Sequence, residues 1–232
     1  MTSPDPAMYK TTIRHFDIDS PEDLVALEVI VDNISQNYGH WMDDIKSLNK
    51  EDIKHWVTEK ENNRETPKLY AVIAVPISEN DSTVQSIAPF QEIQAFIYAY
   101  PEEDKDTLNY IRVHKMLSGI EQNRTIFEIS YAKHPQGMSG QIAKALPEVC
   151  FDLVSKMKIT MNKSDGYPNL TIIGYSFSEN IASIKLMEKC GFEIRGAVPE
   201  HKGAKTKVDL YVLNWAKFDE KFNAFNSITS LF

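Results

Sequence analysis

The sequence predicts an α/β fold formed as a single domain over residues 1–232, and three observations carry this. Short β-branched runs alternate along the chain with amphipathic helical stretches. A long helical pattern from Gln141 to Met157 lies between two strand patterns, Arg124–Lys133 and Asn169–Tyr175. A right-handed crossover would make those two strands parallel neighbours. At 232 residues and 42% hydrophobic, the chain can bury one substantial core, and it shows no internal repeat or low-complexity tract.

Residues 1–10 carry no periodic signal and read as a flexible N-terminus. Residues 11–18 (Thr-Thr-Ile-Arg-His-Phe-Asp-Ile) alternate as a first strand. Ser20-Pro21-Glu22-Asp23 then supplies a cap, a first-turn proline and acids for a helix to Ile34. The pattern breaks over Asn37–Trp41, and a second helix is expected from Asn49 to Asn62, with Glu51 and Asp52 in its first turn. Leu69–Ile77 is an almost continuous apolar run, and Gln91–Tyr100 alternates up to Pro101. Together they read as a hairpin with a long connection. Residues 102–122 show no clear period and read as an irregular connection, either a surface loop or a substrate lid.

The 141–157 helix places Ile142, Leu146, Val149, Cys150, Leu153, Val154 and Met157 on one stripe, opposite Lys144, Glu148, Asp152 and Ser155. Pro147 predicts a kink within it. Asn169–Tyr175 is short and apolar, a helix follows from Asn180, and Phe192–Arg195 and Lys207–Leu213 are strands near the end.

A net charge of -8 argues against a nucleic-acid partner, which needs clustered Lys and Arg, and suits a cationic amine better. Two cysteines, Cys150 and Cys190, offer neither a disulfide framework nor a thiolate metal site. The six histidines show no ligand-like pairing, so no metal is expected. No stretch approaches the roughly 20 apolar residues of a membrane span, and the start of the chain is not a basic-then-apolar leader. A cytoplasmic protein is the expectation.

The most informative segment is Asn180-Ile181-Ala182-Ser183-Ile184-Lys185-Leu186-Met187-Glu188-Lys189-Cys190-Gly191-Phe192. At 100° per residue, Ala182, Ile184, Leu186, Met187 and Cys190 share one side, and Lys185, Glu188 and Lys189 the other. Asn180 and Ser183 fall on the apolar side. Either Asn180 caps the helix through the Ser183 amide, with Gly191 as a left-handed C-cap, or the two polar groups face a ligand. This run resembles the N-x-x-A/S-x-x-L-Y-E-K-x-G-F helix of the GNAT superfamily of acetyl-CoA-dependent N-acetyltransferases. With Ser183 and a later Gly196, it is most similar to the branch holding the ribosomal-protein N-terminal acetyltransferases. Val208-Asp209-Leu210-Tyr211 resembles the D-x-x-Y closing strand of that branch. The resemblance implies a central, mixed, mostly antiparallel twisted sheet, flanked by helices, with a parallel pair at the cofactor cleft.

Between strand and helix, His134-Pro135-Gln136-Gly137-Met138-Ser139-Gly140-Gln141-Ile142-Ala143 forms a small-residue turn aiming amides at a helix N-terminus, an arrangement suited to an anion. The family version is R/Q-x-x-G-x-G/A. Here Gly137 stands at the Arg/Gln position, Gly140 at the first glycine and Ile142 at the second, with Gln136 one place early. Phe127-Glu128-Ile129-Ser130-Tyr131, followed by His134-Pro135, is similar to the family's E-I-G-Y strand.

From the resemblance, acetyl-CoA is the expected cofactor. Main-chain groups of Ile129, Ser130 and Tyr131 are implied to meet its pantetheine arm. The backbone of Gln136, Gly137, Met138, Ser139, Gly140, Gln141 and Ile142 is implied to hold the pyrophosphate, with Asn180, Ser183 and Met187 alongside. Met187 occupies the position of the family's tyrosine acid and has no proton to give. A thiol of pKa about 8.5 departs without a strong acid, aided by Ser183 or a water, while Asn180 holds the pantetheine or a water. Glu128 is the candidate base; strand alternation puts it with Ser130, and the alternative is an ordinary cross-strand or solvent-facing glutamate. Tyr98, Tyr100 and Tyr110 either line an acceptor pocket or simply pack. The expected activity is acetyl transfer to a primary amine: a protein N-terminus, an amino acid or a small amine. The alternative is an inactive module of this fold that binds CoA or a protein.

Overall fold

Arg14 in strand β1 (Tyr9–His15) grips Asp23 in the first turn of helix α1 (Pro21–Asn37) with both ends of its guanidinium, one contact at 2.6 Å. The Asp23 carboxylate is 0% exposed and also accepts the Asp17 amide at 2.8 Å. A buried carboxylate is tolerable only when so satisfied, and this one sets the angle at which the chain leaves the strand. Ser20 caps α1 as expected, its hydroxyl taking the Asp23 amide at 3.3 Å.

The computed structural model describes residues 9–37, 69–76, 93–102, 104–199 and 207–223, with Lys54, His55 and Thr58. The helix expected over 49–62 lies almost entirely outside these. Seven strands follow the order β1-β2-β3-β4-β5-β7-β6. They are β1, β2 (Leu69–Pro76), β3 (Ile93–Pro101), β4 (Thr125–Lys133), β5 (Leu170–Ser176), β6 (Phe192–Val198) and β7 (Val208–Leu213). The expected mixed sheet is present: β4 and β5 pair in parallel, while β1–β2, β2–β3, β5–β7 and β6–β7 are antiparallel. β1 begins at Tyr9, inside the segment expected to be flexible. The chain divides into two compact units, 1–98 with 131–149, and 99–130 with 150–232.

In the first unit, Ala26, Leu27, Ile30 and Val31 of α1 pack on Leu69, Ala71 and Ile73 of β2 and on Ile93 and Phe96 of β3. Tyr70, Val72 and Ala74, on the opposite face of β2, are equally buried. This explains why the segment reads as a continuous apolar run instead of an alternating one.

In the second unit β5 is buried along its whole length, between β4 and β7. Segment 102–122, expected to be irregular, holds two helices: α2 (Lys105–Val113), capped by Asp104, and α3 (Gly119–Gln122), which has a Ser118/Glu121 capping box. α2 buries only Thr107 and Ile111, too sparse a stripe for periodicity to reveal. α4 (Gln141–Lys156) begins in the first unit, ends in the second and continues through Pro147. α5 (Ile181–Lys189) keeps Met187 inward, but Ala182, placed on the inner stripe by the helical wheel, is exposed with Ile181. A terminal helix, α6 (Trp215–Phe222), follows the last strand; Trp215 Nε1 donates to the Leu170 carbonyl at 2.6 Å and its ring meets Phe218 edge-on. α6 also determines what may stand at the end of α5. Gly191 has φ +92°, and a Cβ there would lie 3.2 Å from the Phe218 nitrogen.

Gly191→Ala therefore combines left-handed strain with a backbone clash. It is expected to lower unfolding free energy by about 1–3 kcal/mol, read as a shifted urea midpoint with unchanged slope.

Candidate active site

Parallel pairing of β4 with β5 runs from Thr125 opposite Leu170 to Glu128 opposite Ile173 and ends there, although both strands continue. Just beyond the last pair stands Gly174. A Cβ on it would sit 3.4 Å from the Ile129 carbonyl oxygen and 3.3 Å from Met187 Sδ. Met187, 2% exposed, thus covers the bare backbone of β5 where β4 leaves it. On its other edge β5 stays bonded to β7, Gly174 opposite Tyr211 and Ser176 opposite Asp209.

Glu128 is 2% exposed and lies among polar groups that the chain itself supplies. The Glu102 amide donates to the Ile126 carbonyl at 3.0 Å, a register that sets Tyr100 of β3 directly opposite Glu128. The Tyr100 hydroxyl hydrogen-bonds to Glu128 and to Ser130, and Ser130 Oγ donates to Glu128 Oε1 at 3.2 Å. Tyr175, buried in β5, shares this environment. Burial first, then the charge of Glu128, pushes both phenols well above 10. Glu102 and Asp104 add to the effect at Tyr175. Both tyrosines therefore remain protonated, and Tyr100 is a hydrogen-bond donor to Glu128. The glutamate is at once cross-strand and buried, two features the sequence reading held apart. Of the three tyrosines proposed for an acceptor pocket, Tyr100 is the one bonded to Glu128. Tyr110 stacks on His114 with ring centroids 4.1 Å apart and reaches Ala197, and Tyr98 packs against the α1 core. Tyr175 was missed because nothing in an all-buried strand marks one aromatic residue as different from its neighbours.

Asn180 is the N-cap of α5, its Oδ1 accepting the Ser183 amide at 3.2 Å. Its side-chain oxygen is thereby engaged, which is the capping alternative.

The small-residue turn belongs to the first unit with Tyr131, as Glu128, Ile129, Ser130, Asn180, Ser183 and Met187 belong to the second. Half of its amides point inward. Gln136 N–H donates to His134 Nδ1 at 3.2 Å, Gly137 N–H to the His134 carbonyl at 2.8 Å, and Met138 N–H to Gln94 Oε1 at 2.6 Å. Gly137 is required: a Cβ would approach the Gln94 carbonyl to 2.4 Å. Met138 itself packs with Tyr9 and Ala74. What remains is Ser139 to Ile142. Gly140 has φ +82°, and its carbonyl accepts the first intrahelical bond of α4 from Lys144 at 3.2 Å. The amides of Gln141 and Ile142 precede that bond. Gln141 is 1% exposed; its Oε1 accepts from Thr11, and its Nε2 has no partner among the described residues. Pro135 and Gln136 form one wall of a groove of about 520 Å³ whose other wall is α1. Among the described residues no group of His, Cys, Asp and Glu could hold a metal, and no helix is long and apolar enough to cross a membrane.

His134 is buried and accepts through Nδ1, so it is neutral, and burial followed by the Lys133 charge lowers its pKa from 6.5. Below about pH 6.5 the unfolded chain takes a proton that the folded chain resists, so stability falls as pH falls. Urea midpoints should drop between about pH 7.5 and pH 5.5, and the drop should be smaller in His134→Gln.

No protein-family sequence model and no curated protein matches the chain. Solved structures do. A GNAT-family acetyltransferase from Bacillus anthracis matches with TM-score 0.54 at 17% identity, over 89% of this chain and 98% of that one. yncA from Salmonella typhimurium, solved with its cofactor acetyl-CoA, matches with TM-score 0.55 at 16% identity, over 88% and 94%. A ribosomal-protein-alanine N-acetyltransferase from Brucella melitensis matches with TM-score 0.53 at 18% identity, over 87% and 98%. At such identities the likeness is one of architecture, and it agrees with the strand order and the single parallel pair: the chain has the fold of the GNAT acetyltransferases.

Proposed function

We propose that this chain is an acetyl-CoA-dependent N-acetyltransferase that acetylates a primary amine by direct attack with both substrates bound. The observation that carries the reading is the separation of β4 from β5 immediately after a buried glutamate. Past Glu128, the backbone edge of Gly174–Ser176 turned toward β4 has no ladder partner among the described residues, and Met187 lies over it in place of a side chain at Gly174. An extended ligand with amide groups, such as a pantetheine arm, would complete such an edge as an added strand does. The uncommitted first-turn amides at Ser139–Ile142, at the positive end of a 16-residue helix, suit a pyrophosphate. The sequence resemblance assigns the pantetheine arm to the main chain of Ile129, Ser130 and Tyr131, and the pyrophosphate to the turn before α4.

Acetyl-CoA would supply an acyl group on a thiol whose pKa near 8.5 makes its anion a tolerable leaving group. As the amine nitrogen bonds to the acyl carbon and the C–S bond breaks, Glu128 accepts the proton that the nitrogen loses. The phenols of Tyr100 and Tyr175 hold their protons too tightly to deliver one to a departing thiolate, and Tyr100 acts by hydrogen bonding to Glu128. Met187 takes the place of a proton donor without replacing its chemistry, and the thiolate leaves unassisted or through water.

Acetyl-CoA should raise the melting temperature, and a broad amine panel should reveal an acetylated product. Glu128→Gln should cut kcat about 100-fold with acetyl-CoA affinity unchanged. An unshifted melt would overturn the reading. Stabilisation without transfer to any amine would replace it with a CoA-binding module.

A further inference from the structure

The Glu128 carboxylate is buried and depends on its immediate neighbours for orientation. Two hydroxyls contact it from different strands: Ser130 on its own strand at 3.2 Å, and Tyr100 from across the ladder. Their constraints differ. Ser130 is two residues along β4, and its short side chain bonds Oε1 at a long distance. Tyr100 approaches through a rigid ring anchored in β3, at the position that the Glu102–Ile126 backbone bond places directly opposite. A phenol held in that way limits the carboxylate to few rotamers, whereas a serine hydroxyl can follow it as it moves.

We propose that Tyr100 is a positioning residue for the transfer: its hydroxyl, donated across the β3–β4 ladder, fixes the carboxylate of Glu128 as the proton acceptor. This rests on the reading of Glu128 as the base. Donation to the ionised carboxylate also favours its charged form, against the burial that opposes it. Ser130 acts in the same direction as Tyr100, and Tyr175 is a further titratable group that feels the Glu128 charge. Removing the phenol hydroxyl alone, with the ring kept, should therefore make Glu128 harder to ionise and slower as a base.

The decisive measurement needs no cofactor. In carbon-13-labelled protein, the Glu128 side-chain carboxyl signal, identified by its loss in Glu128→Gln, should titrate about one pH unit higher in Tyr100→Phe than in wild type. The Tyr100 ring signal of the wild-type protein should move with the same midpoint as Glu128, a test that survives even if Tyr100→Phe fails to fold. In turnover, Tyr100→Phe should lose about tenfold in kcat with KM for acetyl-CoA unchanged, and should lose nothing further in a Glu128→Gln background. A wild-type midpoint for Glu128 in Tyr100→Phe, or a Tyr100 ring signal indifferent to the Glu128 titration, overturns the inference. Absence of acetyl transfer by the wild type bears only on the proposed activity, since both titrations are made on the free protein.

Discussion

Two parallel strands that separate while still inside the protein impose a constraint that most of the second unit answers. Backbone amides and carbonyls in a buried strand must be paired, yet from Gly174 to Ser176 the ladder with β4 is gone and only the β7 side remains bonded. The strand keeps its place because β7 holds it, because α6 anchors its first residue through Trp215, and because Met187 roofs the glycine. A larger residue at 174 would press on Met187 Sδ and on the Ile129 carbonyl oxygen. Glu128 sits on the last paired rung, buried at the point where that pairing ends.

Electrostatics then distributes the chemistry. Burial alone would drive Glu128 toward its neutral form, and with Glu102 and Asp104 close to Tyr175 the second unit gathers carboxylates where water is scarce. Hydroxyl donors offset this cost. The same carboxylates raise the phenols, so tyrosines that resemble acid catalysts by residue type are excluded from that role by their surroundings.

Much of this was legible in the sequence where the signal was local. The Asn180 cap, the left-handed Gly191 and the inward Met187 all follow from spacing within one helix, and the parallel strand pair follows from the crossover rule. Expectations failed where the deciding partner is distant. α2 escaped notice because its buried stripe is only two residues, and α6 because its anchor is a carbonyl 45 residues earlier. The helical wheel places Ala182 inward, but in the first turn of α5 it is exposed with Ile181. The bond between Tyr100 and Glu128 depends on a register that no composition rule reveals.

In the turn before α4, side chains depart from the motif while the backbone keeps a helix N-terminus in place. A glycine run seems to promise a row of free amides, but Gln94 claims two places in this one: its carbonyl accepts His134 N–H at 2.9 Å and its side chain takes Met138 N–H. Gly137 is there to let that strand pass, and Gly140 to turn into the helix. Ile142, standing where the family has a second glycine, is 7% exposed, so its side chain belongs to the interior. Its amide still lies in the unpaired first turn. Since an anion at a helix N-terminus is bound by N–H groups and the helix dipole, the identity of a side chain that faces inward changes neither. For the proposed pyrophosphate contact, position 142 need supply only a backbone amide, which isoleucine carries as glycine does.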